Sequence, residues 1–163
     1  MQKKNKIALS RKIIYGSGEL FNATSMVIIL MFFLKFLTDV VHIRPALAGI
    51  ALVAGKLWDA VSDPLIGIIS DRTKSSLGRR RFFLLSFCLP GSVSFTLLWL
   101  FINNGNDLIK IIYYTFAYIT FKTFFTLLNV PYQALGTEIT VNYKERTSLI
   151  YFRMIFSITG SLI

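Results

Sequence analysis

The chain has 163 residues, a formal net charge of +10 at pH 7, and hydrophobic residues at 54% of its positions. So apolar a composition excludes an ordinary soluble domain and indicates an all-α integral membrane protein with several spans. The basic residues collect at alternate ends of the apolar runs, so the charge does not indicate nucleic-acid binding. The single cysteine, Cys88, lies in an apolar run, which excludes a disulfide framework or a thiolate metal cluster.

Five apolar segments follow one another along the chain, and we predict a transmembrane helix in each. The first four have the roughly 20 residues that a helix needs to cross a bilayer. The fifth is too short to complete a crossing at about 1.5 Å per residue. The predicted spans are 13–37, 46–70, 82–102, 108–135 and 149–163, the last of them incomplete.

The connections between these spans carry unequal numbers of basic residues. Most Lys and Arg precede the first span or follow the second and the fourth, whereas the other two connections hold only Arg44 and Lys110. By the positive-inside rule, the amino terminus and the basic turns face the cytoplasm. We therefore predict a multi-pass protein of the cytoplasmic membrane, with short outer turns at 38–45 and 103–107.

Three charged residues stand inside the second predicted span. Asp59 and Asp63 are four residues apart and Lys56 lies three residues before Asp59, so all three share one helical face. A charge at mid-membrane costs roughly 2.5–3.5 kcal/mol, so such a group indicates an ion or substrate pathway. Two carboxylates on successive turns suit one hard cation. The three residues have a formal net charge of −1, which one monovalent cation would neutralise.

Several motifs lie in order along the chain. The turn after the second span contains Gly67, an Asp71-Arg72 pair and a Gly78-Arg79-Arg80 run. The others are Phe36-Leu-Thr-Asp-Val-Val41, Leu57-Trp-Asp-Ala-Val-Ser-Asp-Pro-Leu-Ile-Gly67, Asn129-Val-Pro-Tyr132, Lys144-Glu-Arg-Thr-Ser-Leu149 and Phe152-Arg-Met-Ile-Phe156. The turn resembles the cytoplasmic gate loop between helices two and three of the major facilitator superfamily. Together the motifs are similar to the glycoside-pentoside-hexuronide:cation symporters, the family of the melibiose and glucuronide permeases.

This resemblance implies a transporter of twelve spans in two six-helix halves, with a substrate cavity between the halves and alternating access. Residues 1–163 would form a partial amino-terminal six-helix domain, either a fragment, a truncated reading frame or half of a split transporter. We expect such a chain not to transport alone and to need a carboxy-terminal half as its partner. The implied substrate is a sugar or glycoside, the coupling ion is sodium or a proton, and no other cofactor or enzymatic activity is implied.

The resemblance also implies roles for individual residues. Asp59 and Asp63 match the cation-binding positions, where sodium would be the bound metal if the ion is not a proton. The candidate substrate-binding residues are Asn22, Asn129, Tyr132 and Arg153. The melibiose permeases have acidic residues at or beside the two asparagines, so a melibiose-like preference for galactosides is not implied.

Each of these roles has a purely structural alternative. The aspartates could instead form an ion-pair network with Lys56, and the asparagines could bond to neighbouring helices. Arg153 lies at a depth from which it could pair with Glu19 or extend to the lipid headgroups. Lys122 is predicted at the same depth as Asp59, so its ammonium either replaces the coupling ion or makes a structural pair with an aspartate.

Two other functions remain open from the sequence. One is a lipid or amphiphile carrier on the same fold, because the family includes lysolipid transporters. The other is a membrane interaction protein that does not transport. The chain contains no Ser-His-Asp set or phosphate-binding glycine loop, so an enzyme is not predicted.

Overall fold

The computed structural model describes residues 7–76, 78–102, 106–140 and 142–162, and all regular structure in these ranges is helical. The predicted all-α fold is therefore confirmed. The helices are α1 (Leu9–Ile28), which continues through π-helical turns at Ile29–Phe33 and Phe36–Val40, α2 (Pro45–Arg72), α3 (Arg79–Leu97), α4 (Asp107–Ile139) and α5 (Tyr143–Leu162). The basic residues at 3–6 and the asparagine-rich turn at 103–105 lie outside the described residues.

The two largest differences between the helix ends and the predicted span limits lie in α3 and α5. Helix α3 ends at Leu97 and not at 102, because the amides of Trp99 and Leu100 bond three residues back and tighten the chain into turns. Helix α5 begins at Tyr143 and not at 149, because the Asn142 side chain accepts a hydrogen bond from the Lys144 amide at 3.0 Å and caps the helix. The prediction took the start of the apolar run as the start of the helix, so it missed the polar first residues 143–148.

Within the described ranges, two helical segments are long and apolar enough to cross a membrane. They are Leu9–Phe33 and Asp107–Ile139. The other three spans stay predictions, and α2 carries the charged residues that lower its hydropathy. All five helices nevertheless expose large apolar side chains, among them Leu30, Leu57, Leu89, Phe116 and Ile158. Water-exposed apolar surface of this extent is unfavourable, so these faces suit lipid.

The chain divides into two compact units. Unit 1 comprises Met1–Ile28 and Tyr132–Ile163, and unit 2 comprises Ile29–Pro131. The boundaries coincide with irregularities in the helices, namely the first π-helical turn after α1 and Pro131 in α4. Proline has no amide hydrogen to donate, so the helical ladder of α4 is interrupted there.

Unit 2 has an aromatic core that joins α3 and α4 to the π-helical segment. The ring of Phe33 stacks on that of Tyr118 at 5.2 Å, and Phe36 packs edge-on against Trp99 at 5.2 Å. The hydroxyl of Tyr114 donates to the Leu100 carbonyl at 2.7 Å. Carbonyls beyond a helix end lack intrahelical donors, so this bond anchors the end of α3 to α4.

Unit 1 is held together by close packing of α1 against α5. The Thr24 hydroxyl donates to the Gly160 carbonyl at 2.9 Å, and Lys12 forms an ion pair with Glu145 at 2.8 Å. Gly16 lies against Phe156, where an added Cβ would approach the ring to 2.7 Å. Small residues of this kind allow helices to approach closely in lipid.

Candidate cation and substrate sites

Helices α2 and α4 lie side by side in unit 2 and run parallel, because their contacts advance together by one turn. Lys122 Nζ donates to Asp59 Oδ2 at 2.7 Å, and one turn later Thr126 Oγ1 donates to Asp63 Oδ1 at 3.0 Å. One turn before the ion pair, Gly55 lies so close to Tyr118 that a Cβ would overlap its ring. The regular four-residue spacing on both helices places the two carboxylates opposite the ammonium and the hydroxyl.

The ammonium of Lys122 is almost fully enclosed. The residue is only 4% exposed, and Nζ lies 5.7 Å from the ring centre of Tyr118 and 6.0 Å from that of Phe125. The indole of Trp58 donates to Thr123 at 2.8 Å and supplies another bond between the two helices. An ion pair in such apolar surroundings is screened less than one at a water-exposed surface.

The Asp59 carboxylate is only half satisfied. Oδ2 accepts from Lys122, whereas Oδ1 is buried and has no hydrogen-bond partner within the described ranges. A buried carboxylate oxygen without a partner is costly, so it is a favourable ligand for a cation. The described residues hold no group of three or more His, Cys, Asp and Glu side chains, so the candidate ligands within them are the two carboxylates and the Thr126 hydroxyl.

The two predicted charge partners of the aspartates differ in position. Lys122 pairs with Asp59, whereas Lys56 is exposed and forms no ion pair or hydrogen bond within the residues that the structure describes. Thr126 was not singled out from the sequence, because threonine is common in membrane helices. The available signal was spacing, since Thr126 follows Lys122 by the same four residues that separate the two aspartates.

A second polar cluster lies in unit 1. The rings of Tyr15 and Tyr132 stack at 5.1 Å, and each hydroxyl donates to the other residue's backbone carbonyl, at 3.4 and 2.7 Å. Arg153 Nε donates to Glu19 Oε2 at 2.5 Å, and its guanidinium lies 5.4 Å from the centre of the Tyr132 ring. The cluster therefore combines an aromatic pair with a partly buried charge pair.

The structure distributes the four predicted substrate-binding residues over both units. Asn22, Tyr132 and Arg153 belong to unit 1, where Asn22 is buried on α1, one turn after Glu19. Asn129 belongs to unit 2 and is partly buried. Glu19 was not among the predicted substrate-binding residues. Its depth in the membrane did, however, indicate that it could pair with Arg153.

The predicted gate motif joins the end of α2 to the start of α3. Arg80 Nη2 lies 3.4 Å from Asp71 Oδ1, and Arg79 Nη1 donates to the Asp71 carbonyl at 3.5 Å. Gly78 has φ +93°, a backbone conformation that favours glycine, and it precedes the first residue of α3. Arg72 is exposed, and no neighbouring atom would obstruct a Cβ at Gly67, so local packing does not explain that glycine.

Comparison with known proteins places these features in a family. Residues 14–163 match the family model described as MFS/sugar transport protein. The chain is 40% identical to an uncharacterized symporter of Synechocystis sp., 31% identical to the sodium-dependent lysophosphatidylcholine symporter 1 of Xenopus tropicalis, and 33% identical to the putative glycoside/cation symporter YagG of Escherichia coli. The matches cover 97%, 98% and 96% of this chain, but only 30%, 30% and 34% of the respective relatives.

Proposed function

The chain belongs to the MFS/sugar transport protein family, and we propose that it is the amino-terminal part of a cation-coupled sugar or glycoside symporter. The observation that carries this proposal is the α2–α4 cluster, in which Asp59 keeps a buried oxygen without a partner in the described ranges, one helical turn before Asp63, whose carboxylate accepts from Thr126. The chain covers only 30% of the length of the Synechocystis relative, which supports the proposal that further spans are needed to complete the substrate cavity. The proposed setting is the cytoplasmic membrane with the amino terminus inside.

In this proposal the coupling cation, sodium or a proton, binds at Asp59 and Asp63. Asp59, Asp63 and Lys122 together carry one net negative charge, so one monovalent cation neutralises the group. Binding of that ion drives transport only if it favours one state of the alternating-access cycle over the other. The parallel contacts between α2 and α4 support this role, because movement of either helix would change the distances among these groups.

The proposed substrate residues are Asn22, Asn129, Tyr132 and Arg153. Amides and a guanidinium can donate to sugar hydroxyls, and a tyrosine ring offers an apolar face to a sugar ring. In unit 1, Glu19 holds Arg153 against Tyr132 and thereby sets the direction of its remaining donors. Glu19 is thus a positioning residue, and its carboxylate neutralises a charge that would otherwise be costly in the membrane.

A second candidate substrate class is a lysolipid. It is favoured by the similarity to the Xenopus tropicalis protein, which is named as a sodium-dependent lysophosphatidylcholine symporter. The glycoside class is favoured by the similarity to YagG and by the family description. A zwitterionic headgroup would also be attracted to the Glu19–Arg153 pair, so the choice between the two classes requires a transport measurement.

The test is uptake by the complete transporter that contains this segment, in vesicles with an imposed sodium or proton gradient. We expect a labelled glycoside to accumulate against its concentration gradient, and lysophosphatidylcholine not to accumulate under the same conditions. Accumulation of the lysolipid alone would favour the second candidate. Lack of ion-driven accumulation of either class would contradict the symporter proposal.

A further inference from the structure

If carboxylates alone bound the coupling cation, the positively charged Lys122 would have no role in coupling. We propose that its ammonium is a tethered cation, which occupies part of the coupling-ion site and weakens the binding of a free ion. The inference rests on the proposed cation site at Asp59 and Asp63. It assigns Lys122 as the residue that sets the ion affinity and the ion dependence of that site.

The position of Lys122 supports this role. Its Nζ lies 2.7 Å from Asp59 Oδ2, so the ammonium occupies one of the two oxygens that a free cation would use. The ammonium makes no other hydrogen bond within the described ranges, although it has three donors.

The charges of the group lead to the same conclusion. With Lys122 in place, the two aspartates and the ammonium have a net charge of −1, and only one oxygen of Asp59 is without a partner. Replacing Lys122 by a neutral residue changes the net charge to −2 and releases the second oxygen. A free cation then encounters a stronger attraction and an additional ligand, so its affinity should rise.

The chain contains its own reporter for this site. Trp58 is adjacent to Asp59 in sequence, and its indole bonds to Thr123, the neighbour of Lys122. The only other tryptophan is Trp99, so a Trp99→Phe background leaves a single tryptophan, which lies at the cluster and is excited selectively near its long-wavelength edge. Because the cluster lies entirely within unit 2, the 163-residue chain carries all of these groups.

The experiment is a sodium titration of the chain in lipid nanodiscs, followed by Trp58 fluorescence, with choline chloride keeping the ionic strength constant. The test variant is Lys122→Met and the charge-conserving variant is Lys122→Arg. Lys56→Met is the matched control, because it removes an exposed lysine three residues from Asp59 that forms no ion pair with it in the part of the chain that the structure describes. We expect Lys122→Met to bind sodium at least about tenfold more tightly than the starting chain. The sodium affinities of Lys122→Arg and Lys56→Met should equal that of the starting chain.

Equal sodium affinity in the starting chain and in Lys122→Met would overturn the inference while leaving the cation site in place. An equal gain in Lys56→Met would also overturn it, because the effect would then be one of general charge. A chain that shows no response to sodium in any variant contradicts both the inference and sodium binding at the proposed site.

Lys122→Met leaves Asp59 without its partner and is therefore paired with a second variant, Asp59→Asn/Lys122→Met. If Lys122→Met folds only when sodium is added, the tethered-cation role is supported. If it stays unfolded at every sodium concentration while the double variant folds, the pair is purely structural and the inference fails.

Discussion

The ion pair between Glu19 and Arg153 should make a large contribution to the stability of unit 1. The two side chains are 13% and 26% exposed, and their charged atoms lie 2.5 Å apart. Removing one member of a buried pair leaves the other charge uncompensated, at a cost of about 3–5 kcal/mol. Because Arg153 retains some exposure, we expect Arg153→Met to cost about 3 kcal/mol, or about a hundredfold in the unfolding equilibrium.

The measurement is reversible unfolding of the reconstituted chain in mixed micelles, followed by circular dichroism. The double variant Glu19→Gln/Arg153→Met should recover most of the lost stability, because neither charge is then left alone. A matched control is Arg44→Met, which breaks the pair with Asp107. That pair is 3.7 Å long with side chains 83% and 41% exposed, so its loss should cost less than about 1 kcal/mol.

Two results would refute this reasoning. One is a cost for Arg153→Met no greater than that of Arg44→Met. The other is a double variant less stable than either single variant, with the two losses adding, because groups that act as a pair do not lose stability independently. Either result would show that Glu19 and Arg153 do not stabilise unit 1 as a buried pair.

Three further predictions concern packing, orientation and activity. In the same unfolding assay, Gly55→Ala should destabilise the chain by about 1–3 kcal/mol, because its Cβ would overlap the ring of a tyrosine. Its control is Gly49→Ala, which should be neutral or stabilise by up to about 1 kcal/mol because no atom obstructs a Cβ there. In a Cys88→Ser background, Ser75→Cys should react with an impermeant thiol reagent only from the cytoplasmic side, and Asn104→Cys should react only from outside. Labelling of Ser75→Cys from outside in sealed cells would contradict the predicted orientation. Vesicles that contain only this chain should accumulate no more substrate than empty vesicles, and any excess would show that the chain is a competent transporter.

The proximity of Lys122 to Asp59 could be predicted from the sequence, because both residues lie at the same calculated depth in their helices. The sequence could not distinguish Lys56 from Lys122 as the partner of Asp59. Lys56 shares a helical face with both aspartates, but its side chain is exposed, and only α4 determines which lysine approaches the carboxylate. Sequence periodicity describes one helix at a time and contains no information on the neighbouring helix.

The limits of the helices were predicted less well than their order. Each apolar run that was predicted as a span overlaps one helix of the structure, but hydropathy does not detect polar caps such as Asn142. The candidate substrate residues were chosen by resemblance to a family. The reciprocal hydrogen bonds between Tyr15 and Tyr132 could not be predicted from the position of either residue in the sequence. Those bonds depend on the packing of α1 against the end of α4 within unit 1.

The central proposal is that Asp59 and Asp63 hold the coupling cation, and ion-driven accumulation by the complete transporter tests it most directly. In Asp63→Asn the ion gradient should no longer drive accumulation, whereas ion-independent substrate exchange should persist. The control is Asp39→Asn, an exposed carboxylate that bonds only to the adjacent Thr38 in the described ranges, and its ion dependence should be unchanged. An Asp63→Asn transporter that accumulates substrate with undiminished dependence on the ion gradient would contradict the assignment.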